Sequence, residues 1–458
     1  MTDTASIKPR LTFLPPFIAV VTLILAITVL DLSPVYPMSL AFFLTIIFAL
    51  IDGYDYRFIY RSALEGIKSV WTIIIMFTLL GALIALWLAG GTIATMIYYG
   101  LQLVEPKFFL VEVFLLSVFL SLVIGTSLGT ISTLGVVLMG IGRGLNLPPE
   151  MIAGAVVAGA FFGDRISPVS TSLYLTAEVT GTKVEDNLKL MLKTTYLPFV
   201  LAIFLYFVLG MLNPTKEAGV TSTYLKLLQS NFYLSPVLLL LPLLFLILAL
   251  VRVSIKINLF LNVVLSFILG IIYQKASVPK LLLEVFTGFE APKGLTALAG
   301  GGVLRYLSLV SIILVASAMA GILINTGVFT TLLIRPLAHF KSYFSLTFGI
   351  MILAVLLLMV TCTQALAIMI PGMTLKDEFK RKATANELSR ILADSAVVLA
   401  PLIPWNMAAI LSGAALQVNP KAYILFAFYL WLTPFNNLLV SWRKKGEVYG
   451  EKGLGNYR

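Results

Sequence analysis

The chain has 458 residues, 59% hydrophobic and only 12% charged, with a mean hydropathy of +1.01 and a formal net charge of +11. Soluble domains carry about a quarter charged residues, so this composition excludes a soluble fold and implies an integral membrane protein. At roughly 20 apolar residues per crossing there is room for about ten to twelve crossings, which excludes a single anchor on a soluble domain.

In chain order, apolar runs predict crossings at 12–30, 37–53, 67–99, 150–178, 194–213, 234–251, 257–273, 303–334, 391–417 and 421–441. The first follows Lys8 and Arg10 but is long and lacks a small-residue cleavage site, so it reads as a retained helix. Two further runs do not fit this scheme. The run 108–142 is too long for one span and is broken by Gly125, Thr126, Ser127, Gly129 and Thr130; 343–372 is interrupted at Thr361, Cys362, Thr363 and Gln364. Each is predicted to be a helical hairpin with a polar tip, which membrane depth tolerates only where the tip is packed in protein or lines a cavity.

With the N-terminus cytoplasmic and both hairpins folding back, 22 of the 32 Lys and Arg fall on the cytoplasmic side, as does the C-terminus. That bias satisfies the positive-inside rule and accounts for the basic surplus without nucleic acid. Arg165 and Arg305 lie in or near spans. The loop Lys376 to Arg390 is read as topology-setting, with anionic lipid binding as the alternative.

A shift of 236 residues places Trp71–Leu101 on Leu307–Leu337, and the Gly125-Thr126-Ser127 break on Thr361-Cys362-Thr363. The expected fold is an all-α polytopic membrane protein of about ten transmembrane helices plus two helical hairpins, arranged as two inverted repeats with broken helices. Residues 1–213 form the first repeat, 214–233 a connecting loop, 234–442 the second repeat and 443–458 a cytoplasmic tail.

The chemistry concentrates at the breaks. Gly163-Asp164-Arg165-Ile166-Ser167-Pro168-Val169-Ser170-Thr171-Ser172 lies inside the run 150–178, where a charge costs about 2.5–3.5 kcal/mol. Pro168 removes a helix donor and disfavours helical geometry at Ser167, so the helix is predicted to break. The break frees carbonyls and hydroxyls for a desolvated cation. A carboxylate in a low-dielectric cavity favours its protonated form unless a cation stabilises it, which makes Asp164 a candidate for proton/cation competition; the alternative is a structural Asp164–Arg165 pair. In the second half, Pro401-Leu402-Ile403-Pro404-Trp405-Asn406 distorts a span, with Asn406 able to coordinate where Asp164 sits in the first half, or else as a kink packed by Trp405. The hairpin tips add neutral oxygens from Thr126, Ser127, Thr130, Thr361, Thr363 and Gln364, while Gly125 and Gly129 permit close backbone approach. Close helix packing by small residues is the competing explanation. Arg390 and Asp394, four apart, are placed to form an interfacial pair, with a deep position for Asp394 as the alternative. Glu112 and Glu178 read as interfacial and His339 as solvated. Cys362 reads as a packing residue, and one Cys and one His exclude a disulfide framework or multi-ligand metal site.

The segments Gly125–Pro148, Gly163–Ser170 and Leu388–Asn406 resemble the NhaC family of sodium/proton antiporters. That resemblance implies an inverted-repeat fold and sodium-linked exchange, with sodium and protons as coupling ions, no cofactor, and membrane lipid and a small solute as partners; a homodimer is left open. Asp164 would take the acidic position of the family's glycine-aspartate-lysine motif, with Arg165 replacing the lysine. Where the family continues serine-aspartate-threonine-threonine, Ser170 is here followed by Thr171 and Ser172, so a second carboxylate is missing. This leaves a sodium- or proton-coupled carrier of an amino acid or carboxylate as the alternative, with a channel as a third class. An enzyme is not expected: no nucleophile, metal cluster or phosphate loop stands out.

Overall fold

The computed structural model describes residues 33–443 except 103, 214–217, 252, 296–297, 329–341 and 381–382, together with scattered positions between 15 and 26. Most of the predicted first crossing, His339 and the tail from 444 onward lie outside the described residues. Among those described, helices dominate and the only β-pairing is an isolated bridge between Phe289 and Gly300. Five helices are long and apolar enough to cross a membrane, and up to nine spans result if each bent pair counts as one. Phe204, Leu212, Phe260 and Leu283 expose apolar surface, as expected of helices solvated by lipid. The chain is an all-α, multi-pass membrane protein.

Two groups of helices are evident. In the first, Leu307–Asn325 packs against Val35–Ile51 and Tyr56–Ser69, while Trp71–Ala89 packs against Ile255–Gln274 and Val278–Thr287. Each long helix is therefore clasped by a helix pair from the other half of the chain. Tyr56–Ser69 escapes a reading of apolar runs because one face is polar and its mean hydropathy is low for a span, and Val278–Thr287, also polar on one face, because it has only 10 residues. The second group holds both hairpins, both broken helices, Val184–Leu212 and Phe428–Arg443.

Packing direction establishes that the hairpins fold back. The outer arm Phe109–Ile124 lies beside Pro149–Ile166, with Phe114 against Gly159, Ser121 bonding Ala160 and Ser167 bonding Leu122. Contact positions rise together along both helices, so the two run parallel. The intervening arm, Ser127–Thr130, a π turn at Ile131–Gly135 and Val136–Gly144, must return the chain to its starting side. The same holds for Tyr343–Thr361 beside Ala385–Leu402 and Met407–Leu416: Tyr343 meets Arg390, Leu358 meets Asn406 and the Cys362 carbonyl accepts from Met407 N–H. Small residues make the first contact tight: a Cβ on Gly159 would stand 2.6 Å from the Phe114 carbonyl oxygen, and such close approach is how membrane helices gain packing energy.

Both predicted helix breaks are present. Pro149–Ile166 and Thr171–Thr180 meet at 41°, and Ala385–Leu402 and Met407–Leu416 at 49°. At each, the residue before proline is extended, Ser167 (φ −71°, ψ 131°) before Pro168 and Ile403 (φ −101°, ψ 110°) before Pro404, as the proline ring requires. Three residues after Ser167 and Ile403, Ser170 and Asn406 cap the next helix by accepting from backbone N–H groups. The 236-residue register thus holds at the breaks, but it pairs Asn406 with Ser170 rather than with Asp164, whose counterpart is Ala400. At the hairpin tips the register is 237. Gly125 (φ +76°) and Cys362 (φ +56°) are the left-handed residues that end the outer arms, and Thr126 and Thr363 each accept from the backbone N–H three residues on.

Candidate functional site

Asp164 sits two residues before the end of the first half-helix and is 4% exposed. One carboxylate oxygen accepts from the Ser170 hydroxyl at 2.9 Å and the Ser172 hydroxyl at 3.0 Å; the other accepts from Ser127 at 3.1 Å. Ser170 also bonds the Asp164 carbonyl. Gln364, at the second hairpin tip, donates to the Ser172 hydroxyl at 2.8 Å. Both hairpin tips and the first helix break therefore converge on one carboxylate. No Lys or Arg stands within ion-pair distance of Asp164 among the described residues.

Arg165, the next residue, projects elsewhere, since successive helical side chains diverge by about 100°. It is fully buried and pairs with Asp394 of the other broken helix, donating from Nε at 2.7 Å. Its other donors reach Thr194, Thr195, Tyr429 and the Met191 carbonyl. Asp394, in a π turn at Ala393–Val397, also meets Arg390 at 3.4 Å, and Arg390 is held by Asn437 and Tyr343. The alternative of an Asp164–Arg165 pair is thus replaced by a buried Arg165–Asp394–Arg390 cluster that joins the two broken helices, while the i,i+4 pairing of Arg390 with Asp394 is present.

The remaining singled-out residues divide by position. Thr126 caps the short helix behind the first tip. The C-cap Ser167 ties the break to Leu122 at 2.7 Å, and Pro168 and Thr171 face outward. Thr361 bonds the Leu357 carbonyl. Asn406 is fully buried, with its amide on the Leu358 carbonyl and its oxygen capping the helix; Trp405 donates to Met359. Asn406 therefore ties the second break to its hairpin and does not reach Asp164 by any hydrogen bond present. The sequence reading missed Ser172 as a partner. Its signal was the spacing: Ser170 caps the helix, so the residue two further on sits in the first turn, facing back toward the break.

A cavity of about 510 Å³ lies beside this cluster. Ser127, Thr363 and Gln364 from the hairpin tips line one wall; Leu411 and Ser412 of the second broken helix, Ser317 and Asn325 of Leu307–Asn325, and Glu65 of Tyr56–Ser69 line others. The cavity thus lies between the two helix groups. Asp164 is not in its wall but one layer behind, bonded to Ser127 and, through Ser172, to Gln364.

A buried, unpaired carboxylate ringed by hydroxyls, set at crossed hairpin tips beside a cavity between two helix groups, is the arrangement of a secondary transporter. The model of the Na+/H+ antiporter family matches residues 159–442. The chain is 30% identical to the Na+/H+ antiporter NhaC of Alkalihalophilus pseudofirmus over 442 residues, covering 95% of this chain and 96% of that one. It is 30% identical to NhaC of Bacillus subtilis over 429 residues (91% and 94%), and 26% identical to the malate-2H+/Na+-lactate antiporter of the same organism over 419 residues (90% and 89%). The chain belongs to the Na+/H+ antiporter family and is a transporter, not an enzyme.

Proposed function

We propose that the protein exchanges sodium for protons, with Asp164 binding each in turn. The observation that carries this is the setting of Asp164: a buried carboxylate with no basic partner among the described residues, surrounded by the hydroxyls of Ser127, Ser170 and Ser172. Sodium is a hard cation that favours oxygen ligands, by the same logic as other hard cations, and either a cation or a proton neutralises the buried charge. Ser127 and Gln364 stand between the cavity and the carboxylate, so ion entry rearranges a thin polar layer. Two inverted repeats divided at 214–233 fit the reciprocal clasping of Trp71–Ala89 and Leu307–Asn325, and relative rocking of the two helix groups supplies alternating access. Under the positive-inside assignment the termini are cytoplasmic and the Glu65–Asn325 end of the cavity faces the cytoplasm. Cation coordination is assigned to Asp164, Ser127, Ser170 and Ser172, and support of the breaks to Ser167, Asn406, Thr126 and Thr363.

The test is dissipation of a preformed pH gradient by added sodium in proteoliposomes. Wild type responds, whereas Asp164→Asn, which keeps the shape and loses the charge, does not. No response in wild type, or an undiminished one in the variant, refutes the proposal.

A second reading, sodium-coupled exchange of a carboxylate, draws support from the cavity. Its volume falls in the roughly 300–1,000 Å³ range of small-molecule pockets, and one relative is a malate-2H+/Na+-lactate antiporter.

A further inference from the structure

The charge inside the cavity bears on which solute it admits. Glu65 is the only charged residue among the described residues that line it, and no Lys or Arg contributes to the wall. The rest is apolar or carries neutral oxygens and amides. One of these, the Ser317 hydroxyl, is 2% exposed and has no hydrogen-bond partner. Glu65 is held in place: its carboxylate accepts from the Asn325 amide at 3.0 Å, and the same amide donates to Ser62 at 3.0 Å. Arg61 and Lys68 lie one helical turn either side of Glu65, do not line the cavity and form no ion pair with it. The helix carrying Glu65 is seated so closely that a Cβ on Gly66 would overlap the Ser317 carbonyl, which fixes the backbone beside the cavity, while the Glu65 side chain itself is exposed at its wall.

We infer that this cavity is a cation vestibule in which Glu65 recruits hydrated sodium and the unpartnered Ser317 hydroxyl contacts the entering ion, whereas a free carboxylate is turned away. This rests on the exchange reading and names the solute class of that site. A free lactate or malate would meet Glu65 at the wall, with no Lys or Arg among the lining residues to pair with its carboxylate. A sodium ion with six waters needs roughly 180 Å³ at about 30 Å³ per water, well within the space. Recruitment precedes the final step onto Asp164, so Glu65 acts on capture and leaves the exchange chemistry intact.

The experiment measures the sodium concentration for half-maximal exchange in proteoliposomes at low ionic strength, for wild type, Glu65→Gln, Glu65→Asp and Glu65→Lys. A single charge about 4 Å from an ion in water gives about a five-fold effect. Half-saturation is expected to rise about five-fold in Glu65→Gln and further in Glu65→Lys, with the maximal rate retained and Glu65→Asp close to wild type. The difference shrinks when an impermeant organic salt screens the charge, and sodium lactate supports exchange no better than sodium chloride. Equal half-saturation across the four proteins overturns the inference, as does labelled-lactate uptake driven by a sodium gradient. Failure of wild type to exchange sodium for protons sinks the function proposed above. In that case calorimetric sodium binding in detergent still reads Glu65: weaker binding in Glu65→Gln supports the vestibule, and an unchanged Kd overturns it.

Discussion

Replacing Asp394 by asparagine is expected to be the most destabilising conservative change in the protein. The wild-type carboxylate is fully buried and, among the described residues, is the one carboxylate ion-paired with both buried guanidinium groups, Arg165 and Arg390. Their remaining acceptors are neutral: Thr194, Thr195, Tyr429 and a carbonyl for Arg165, Asn437 and Tyr343 for Arg390. Asp394→Asn therefore removes the ion-pair partner of two buried guanidinium groups, and removing one partner of a buried ion pair costs about 3–5 kcal/mol. Arg165→Met instead leaves Arg390 paired with Asp394 and loses mainly hydrogen bonds, a cost of about 1–3 kcal/mol. Because the residues share one network, the double variant should be less destabilised than the sum of the singles by at least about 0.5 kcal/mol. Heating in detergent, read by the surviving monodisperse fraction, should rank the melting midpoints as wild type, Arg165→Met, then Asp394→Asn. The half-saturating sodium concentration of the folded fraction should be unchanged, since Asp394 neither lines the cavity nor bonds Asp164. Asp394→Asn matching wild type in stability, or the reverse ranking, would refute this account of the cluster.

Gly125→Ala should lower stability by at least about 1–2 kcal/mol and impair exchange, because its φ of +76° disfavours a Cβ and that Cβ would stand 2.7 Å from the Val169 carbonyl oxygen; a thermal midpoint equal to wild type counts against the tip geometry. Asn406→Ala removes a helix cap and the amide bond to the Leu358 carbonyl, which keeps only its bond from Cys362 N–H, for a loss of about 0.5–2 kcal/mol. Its sodium half-saturation should stay at the wild-type value, and a shift there would place Asn406 in the cation site.

Much of this was legible in the sequence because membranes penalise irregular backbone and charge so heavily. Asp164, the two proline-bearing breaks and the polar hairpin tips stand out against apolar surroundings, and each occupies a break or tip in the fold. What was not legible depends on which way side chains turn. The sequence left a pairing of consecutive Asp164 and Arg165 open as the alternative, and only helical geometry settles it, sending one to the hydroxyl cluster and the other to Asp394, 229 positions away. Asn406 seemed to stand opposite Asp164, but the two X-Pro steps align it with Ser170, 6 residues further on. Thr171 rather than Ser172 was singled out for the site, although capping by Ser170 is what turns Ser172 inward and Thr171 out. The amphipathic helix Tyr56–Ser69, and Glu65 with it, was hidden because a search for apolar runs passes over a helix with one polar face.

The central claim is that sodium and a proton compete for one carboxylate, and sodium binding followed by calorimetry across a pH series in buffers of different ionisation enthalpy tests it most directly. If Asp164 is the shared site, the apparent Kd for sodium should rise toward about ten-fold per pH unit on the acid side, approaching one proton released per sodium bound, and Asp164→Asn should abolish both. Sodium binding with a pH-independent Kd and no proton release in the wild type would contradict it.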